Sequence, residues 1–181
     1  MPYIKINKKI IFSIFLFSIF HFLSCGLQAQ NNWVKLEYHF NVGALPPPYH
    51  YSYIITISSD GKGELVYISG YESTPKNTSI HPFMLKSKQL KKLKKEVKDS
   101  DVLNLNIKTR PNEEIPDGGH SDGLEIYGIN KESDSKDTVL IKSVPTYPEL
   151  KYEGILDKLY KVIQNSVPDN IWNEVNSRKE K

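Results

Sequence analysis

Apolar and polar residues alternate in the clearest element of the chain, where Val34, Leu36, Tyr38, Phe40 and Val42 interleave with Trp33, Lys35, Glu37, His39 and Asn41. A period of two predicts a strand with one buried face. Residues 43–48 then break the pattern with Pro46, Pro47 and Pro48, whose fixed φ and missing N–H predict a stiff extended connector. Tyr51, Tyr53, Ile55 and Ile57 share one face of a second strand, and Ser58-Ser59-Asp60-Gly61-Lys62-Gly63 supplies the turn residues of a hairpin into a third strand over 64–68. Residues 70–82, with Tyr71, Pro75, Asn77, Thr78 and Pro82, hold no sustained period and read as a loop.

The period changes over residues 87–98. Leu90, Leu93 and Val97 mark one helical face, Lys88, Lys91, Lys92, Lys94, Lys95 and Lys98 cover the rest, and Ser87 is the expected N-cap. A short strand over 102–107, a loop over 110–121, strands over 124–129 and 138–144 and a polar turn over 130–136 follow. Tyr152, Ile155, Leu156, Leu159, Val162 and Ile163 form the stripe of a second helix ending near Pro168, with Trp172 in a final packed turn. The order β-β-β-α-(β)-β-β-α predicts an α+β fold: a single antiparallel sheet of five to six strands with two helices on one face.

The first thirty residues carry a different signal. Lys5, Lys8 and Lys9 precede an apolar run over 10–23, and small and polar residues follow over 24–30, the layout of a secretory signal. The run falls short of the roughly 20 apolar residues that span a bilayer. The expected organisation is a signal peptide over 1–29 and a single α+β domain with a polar C-terminal tail over 30–181. Cleavage after Ala29 is the expected processing, and Leu23-Ser24-Cys25-Gly26 leaves lipidation of Cys25 as the alternative. Either route places the working form in the periplasm, at the outer membrane or outside the cell.

Export changes the reading of charge. The formal charge of +3 arises from 24 basic and 21 acidic residues, but three lysines and no acid precede Ala29, so the exported domain is balanced. A neutral domain has no general electrostatic drive toward phosphate backbones, so no nucleic-acid partner is expected. Cys25 is the only cysteine, which rules out an intramolecular disulfide and leaves stability to packing. At about 150 residues such a domain buries roughly two thirds of its unfolded surface around one core, and a monomer is expected.

Pro46-Pro47-Pro48-Tyr49, the strand over 51–57 and Asp60-Gly61-Lys62-Gly63-Glu64-Leu65 together resemble a group of small bacterial proteins. The similarity extends through the helix after Phe83, Gly118-Gly119, Leu124 and Ile126, and so covers most of the exported domain. It implies one bacterial domain and carries no activity and no site residue across.

Candidate chemistry is sparse. Glu113, Glu114, Asp117, His120, Asp122 and Glu125 surround Gly118-Gly119, but Asp117-x-x-His120-x-Asp122 matches neither a strong zinc template nor a calcium loop. No metal and no cofactor are expected, and a solvated turn is the default reading. A hydrolase or metal-assisted enzyme using Asp117, His120 and Asp122 is the enzymatic alternative. No Gly-x-Ser-x-Gly elbow is present, and His39, His50 and His81 read as strand or packed residues rather than general bases.

Two surfaces suit a partner. Tyr49, Tyr51 and Tyr71 offer apolar area with a hydrogen-bonding tip near the prolines, and Lys91, Lys92, Lys94 and Lys95 make a cationic helix face. The expectation is a non-enzymatic envelope protein that binds a protein or another envelope component, in one form an inhibitor or immunity-type protein. Membrane contact is expected only through a lipid anchor or the lysine-rich helix. A carbohydrate-binding module is a further alternative.

Overall fold

The structure, a computed structural model, describes residues 33–130 and 137–179. The expected signal segment, Cys25 and most of the polar turn lie outside the described residues. Six strands, β1 (Trp33–Asn41), β2 (Tyr51–Ser58), β3 (Lys62–Ser69), β4 (Thr78–Met84), β5 (Ser121–Ile129) and β6 (Thr138–Val144), form one antiparallel sheet in the order β4-β3-β2-β1-β5-β6. Three helices, α1 (Ser87–Asp99), α2 (Glu153–Gln164) and α3 (Asp169–Lys179), complete an α+β fold.

β1 is the axis of the sheet. Its inward residues pair on both sides, Leu36 with Ile57 and Ile126, Tyr38 with Ile55 and Leu124, and Phe40 with Tyr53 and Asp122. Continuing across β3, Tyr53 faces Tyr67 and Ile55 faces Leu65. Leu36, Ile55, Ile57, Leu65 and Ile126 are inaccessible to solvent, and the helices cover this face with Leu93, Val97, Leu156, Leu159, Ile163, Ile171 and Val175. Alternation gives the sheet one apolar face, and amphipathic helices supply the second layer.

The structure corrects the sequence reading in several places. Trp33 falls on the polar phase of β1 yet is buried, because the register shifts between Trp33 and Lys35 and turns the indole inward. The triple proline makes a turn instead of an extended connector, with the Pro46 carbonyl accepting from the N–H groups of Tyr49 (2.9 Å) and His50 (3.1 Å). The region read as a loop overlaps most of β4, an edge strand where Pro82 does not interrupt an inner ladder. Residues 102–107 form no strand; the Asp101 carbonyl accepts from Asn104 (2.9 Å) and Leu105 (3.2 Å) in tight turns.

At the start of α1 the N-cap is Lys86 rather than Ser87, and its N–H donates to Gln89 Oε1 at 3.0 Å. Trp172 belongs to a third helix, not a single turn. Pro168 cannot extend α2, and its carbonyl instead accepts from Ile171 (3.0 Å) and Trp172 (3.3 Å) as α3 begins. The Trp172 indole then sits edge-on to Tyr53 at 5.2 Å and donates to the Gln164 carbonyl at 3.2 Å.

One glycine ties two loops together. Gly43, at φ +85°, lies so close to the loop over 118–119 that a Cβ there would stand 1.8 Å from the Gly119 carbonyl oxygen. Backbone cannot yield as a side chain tip can, so Gly43→Ala is expected to lower stability by on the order of 1–3 kcal/mol. Urea denaturation measures it, and an unchanged midpoint would refute the close approach.

Candidate functional site

Two concavities gather polar groups. The first is a cleft of about 310 Å³ between the loop that follows Arg110, the start of β5, residues 146–148 and the exposed beginning of α2. His120 and Asp122 line it together with Asp157 and Tyr160 of α2. Gly118 and Gly119, both at positive φ, let the loop turn back toward β1.

Asp122 holds the centre. Pairing with Phe40 sets it on the inward face of β5, where its carboxylate accepts a hydrogen bond from the Tyr38 hydroxyl. Gln164 Nε2 donates to Tyr38 Oη at 2.7 Å and to Tyr53 Oη at 3.2 Å, so α2 is joined to β1 and β2 through one amide. His120 Nε2 stands 3.3 Å from Asp122 Oδ2, and the ring stacks on Phe40 with centroids 5.5 Å apart. Arg110 is buried, donating Nε to the Pro148 carbonyl at 3.0 Å and pairing with Glu153 at 2.6 Å.

Burial raises the Asp122 pKa above the ordinary 3.8, with Asp157 adding to the rise and Tyr38 and His120 opposing it. Burial likewise raises the phenols of Tyr38, Tyr53 and Tyr160, in each case with the Asp122 charge adding to the rise. The Tyr160 hydroxyl is buried and has no hydrogen-bond partner among the described residues.

Of the polar trio expected from the sequence, His120 and Asp122 meet, whereas Asp117 remains exposed outside the cleft lining. Asp157, Tyr160 and the Tyr38–Gln164 pair were not foreseen, since the fold brings them from distant parts of the chain.

The second concavity is a hollow of about 540 Å³ on the face of the sheet opposite the helices, taking in His39, Asn41, Ser52, Ile54, Gly123 and Glu125. Register aligns these groups in rows. Gly123, His39, Ile54, Val66 and Ile80 lie side by side across β5, β1, β2, β3 and β4, and Glu125, Glu37, Thr56, Glu64 and Pro82 form the next row. Glu37, His39 and Glu125 each bring one ligand atom within 4.8 Å of the others, the only such metal-capable trio among the described residues.

The expected partner surfaces are dispersed. Tyr49 and Tyr71 are exposed in neighbouring loops, Tyr71 donating to the Leu45 carbonyl at 2.5 Å and stacking on His50 at 3.7 Å. Tyr51 is not a surface residue of that kind. It lies on the inward face, half-buried and stacked on Phe40 at 5.9 Å, because its phase matches Tyr53 and Ile55. Lys91, Lys92, Lys94 and Lys95 are exposed on α1, with Lys95 paired to Asp99.

His50 is buried with both ring nitrogens near oxygens, Nδ1 2.9 Å from the Gly70 carbonyl and Nε2 3.2 Å from Asn41 Oδ1, so it fastens two loops. Among known proteins, no family model matches the chain and no curated protein is significantly similar to it.

The raised Asp122 pKa gives a pH signature. A carboxyl whose folded pKa exceeds its unfolded value contributes stability that is fully present below the unfolded pKa, near 3.8, and is lost as pH rises through the folded value. Asp122→Asn keeps an oxygen for Tyr38 and removes the titration. Relative to this variant the wild type is expected to lose stability as pH rises through that window. Urea denaturation across an acid pH series measures the gap, and a constant gap would refute the buried carboxylate.

Proposed function

We propose that this domain is a non-enzymatic binding module of the bacterial envelope, engaging a macromolecular partner through the open face of its sheet. The supporting observation is the one-sided construction. No described element covers the face opposite the helices, and there Ile54, Val66 and Ile80 form a contiguous apolar row. Ile80 and Met84 are each 60% exposed. The adjoining hollow supplies polar groups, so apolar area and hydrogen-bonding capacity lie side by side, as in protein interfaces. An inhibitor or immunity-type role is the concrete form of this reading, since it needs only surface complementarity. The tyrosine loops then serve as a flanking surface, and the lysine helix, in the covering layer, stands apart from it.

A second reading rests on the cleft, where a carboxyl of raised pKa beside a histidine is a recurrent acid-base arrangement. Against it, the Tyr38 hydroxyl already occupies Asp122, and the His120 side chain is 63% exposed. The carbohydrate reading calls for coplanar exposed tyrosines, and His50 already occupies one face of the Tyr71 ring.

A photo-crosslinking residue placed in cells at Ile80 or Val66 is expected to give a discrete adduct, and one at Lys92 is not. Adducts confined to position 92, or none at all, would overturn the open-face reading.

A further inference from the structure

From the geometry of the open face we infer a binding site for one divalent zinc ion, held by Glu37, His39 and Glu125. Glu37 and His39 stand two residues apart on β1, so both side chains leave the same face, and Glu125 is the direct cross-strand partner of Glu37. Their ligand atoms already lie within 4.8 Å of one another. Small rotations about the side-chain bonds suffice to bring them to the roughly 2.0–2.2 Å that zinc requires of imidazole nitrogen and carboxylate oxygen. One histidine and two carboxylates form a donor set suited to zinc, with the fourth position left to water.

Three features of the surroundings point to a cation. Two carboxylates directly opposite on neighbouring strands repel each other, and Lys35 pairs with Glu37 alone, so Glu125 has no ion-pair partner among the described residues. His39 Nε2 is buried without a hydrogen-bond partner among the described residues, an orphan that a metal ion or an ordered water would satisfy. The Tyr127 hydroxyl donates its one proton to Glu125 Oε2 at 2.5 Å and stands 3.3 Å from Glu37 Oε2, so it lies between the carboxylates as an outer-shell donor lies against metal ligands. Gly123, directly across from His39, leaves the open position free of a side chain.

Lys35 explains how the metal-free face tolerates these charges. Its Nζ lies 2.8 Å from Glu37 Oε1 and 4.0 Å from the centre of the Tyr127 ring, so it neutralises Glu37 when no ion is bound and competes with zinc for that carboxylate. The site shares the open face with the proposed partner surface but requires no partner to form.

Zinc titration of the chelator-treated domain by calorimetry tests the site, with cobalt absorption as a second reading of coordination. One equivalent is expected to bind at micromolar or tighter Kd, with tetrahedral cobalt bands. His39→Ala and Glu125→Gln are each expected to weaken binding at least about tenfold. Lys35→Met is expected to tighten it, and His120→Ala to leave it unchanged. Circular dichroism confirms that each variant folds, and Glu125→Gln carries the test if His39→Ala does not. Absence of zinc binding, or binding unchanged in the folded ligand variants, would overturn the assignment. Crosslinking at position 80 reads the partner surface separately, so either reading can fail alone.

Discussion

The hydroxyl of Tyr38 is the point on which the two layers close. It donates to Asp122 on β5 and accepts from Gln164 on α2, while Gln164 also reaches Tyr53 on β2. Three strands and a helix therefore meet through one polar network, set beneath a helix whose other core contributions are Leu156, Leu159, Val162, Ile163 and the phenol of Tyr160. Buried polar groups are costly when unpaired and specific when paired, because only one arrangement satisfies all of them. Slipping α2 by a turn would take the Gln164 amide away from both phenols. The network thus ties the helical layer to β1, and at its solvent end burial raises the Asp122 carboxyl beside His120, which stacks on Phe40.

The same closure produces the asymmetry of the molecule. Tyr38 directs the inward face of β1 to the helices, so its neighbours Glu37 and His39 are directed to the other face. β1 pairs on both sides, and the outward groups are therefore joined by those of β5 on one flank and β2 on the other. One flank becomes a carboxylate-histidine cluster and the other an apolar row. A strand that builds the core on one side builds the candidate surface on its reverse.

Part of this fold is legible in local patterns of the sequence. The alternation of β1 and β2 and the Asp60-Gly61 hairpin are local signals, and they fixed half of the sheet correctly. β4 was hidden because its inward residues are Ser79, His81 and Phe83 while Ile80 and Met84 point outward, an inverted pattern broken further by Pro82. α3 was hidden because, among its described side chains, only Ile171 and Val175 are fully buried and Trp172 half-buried, in an otherwise polar run. In the cleft, His120 and Asp122 are neighbours in sequence and were visible. Asp157 and Tyr160 come from α2, and the Glu37–Glu125 pairing depends on a non-local register between β1 and β5. Those contacts follow from topology, which no local period encodes.

The central claim is that the open sheet face is covered by a partner in its native setting. Cysteines introduced singly at Val66 and Ile80 test it most directly, by comparing thiol-labelling rates in the purified domain and in intact cells. The account predicts rapid labelling of the purified domain and strong protection in cells at both positions, with no protection of a cysteine at Lys92. Equal labelling rates in the two settings would contradict it.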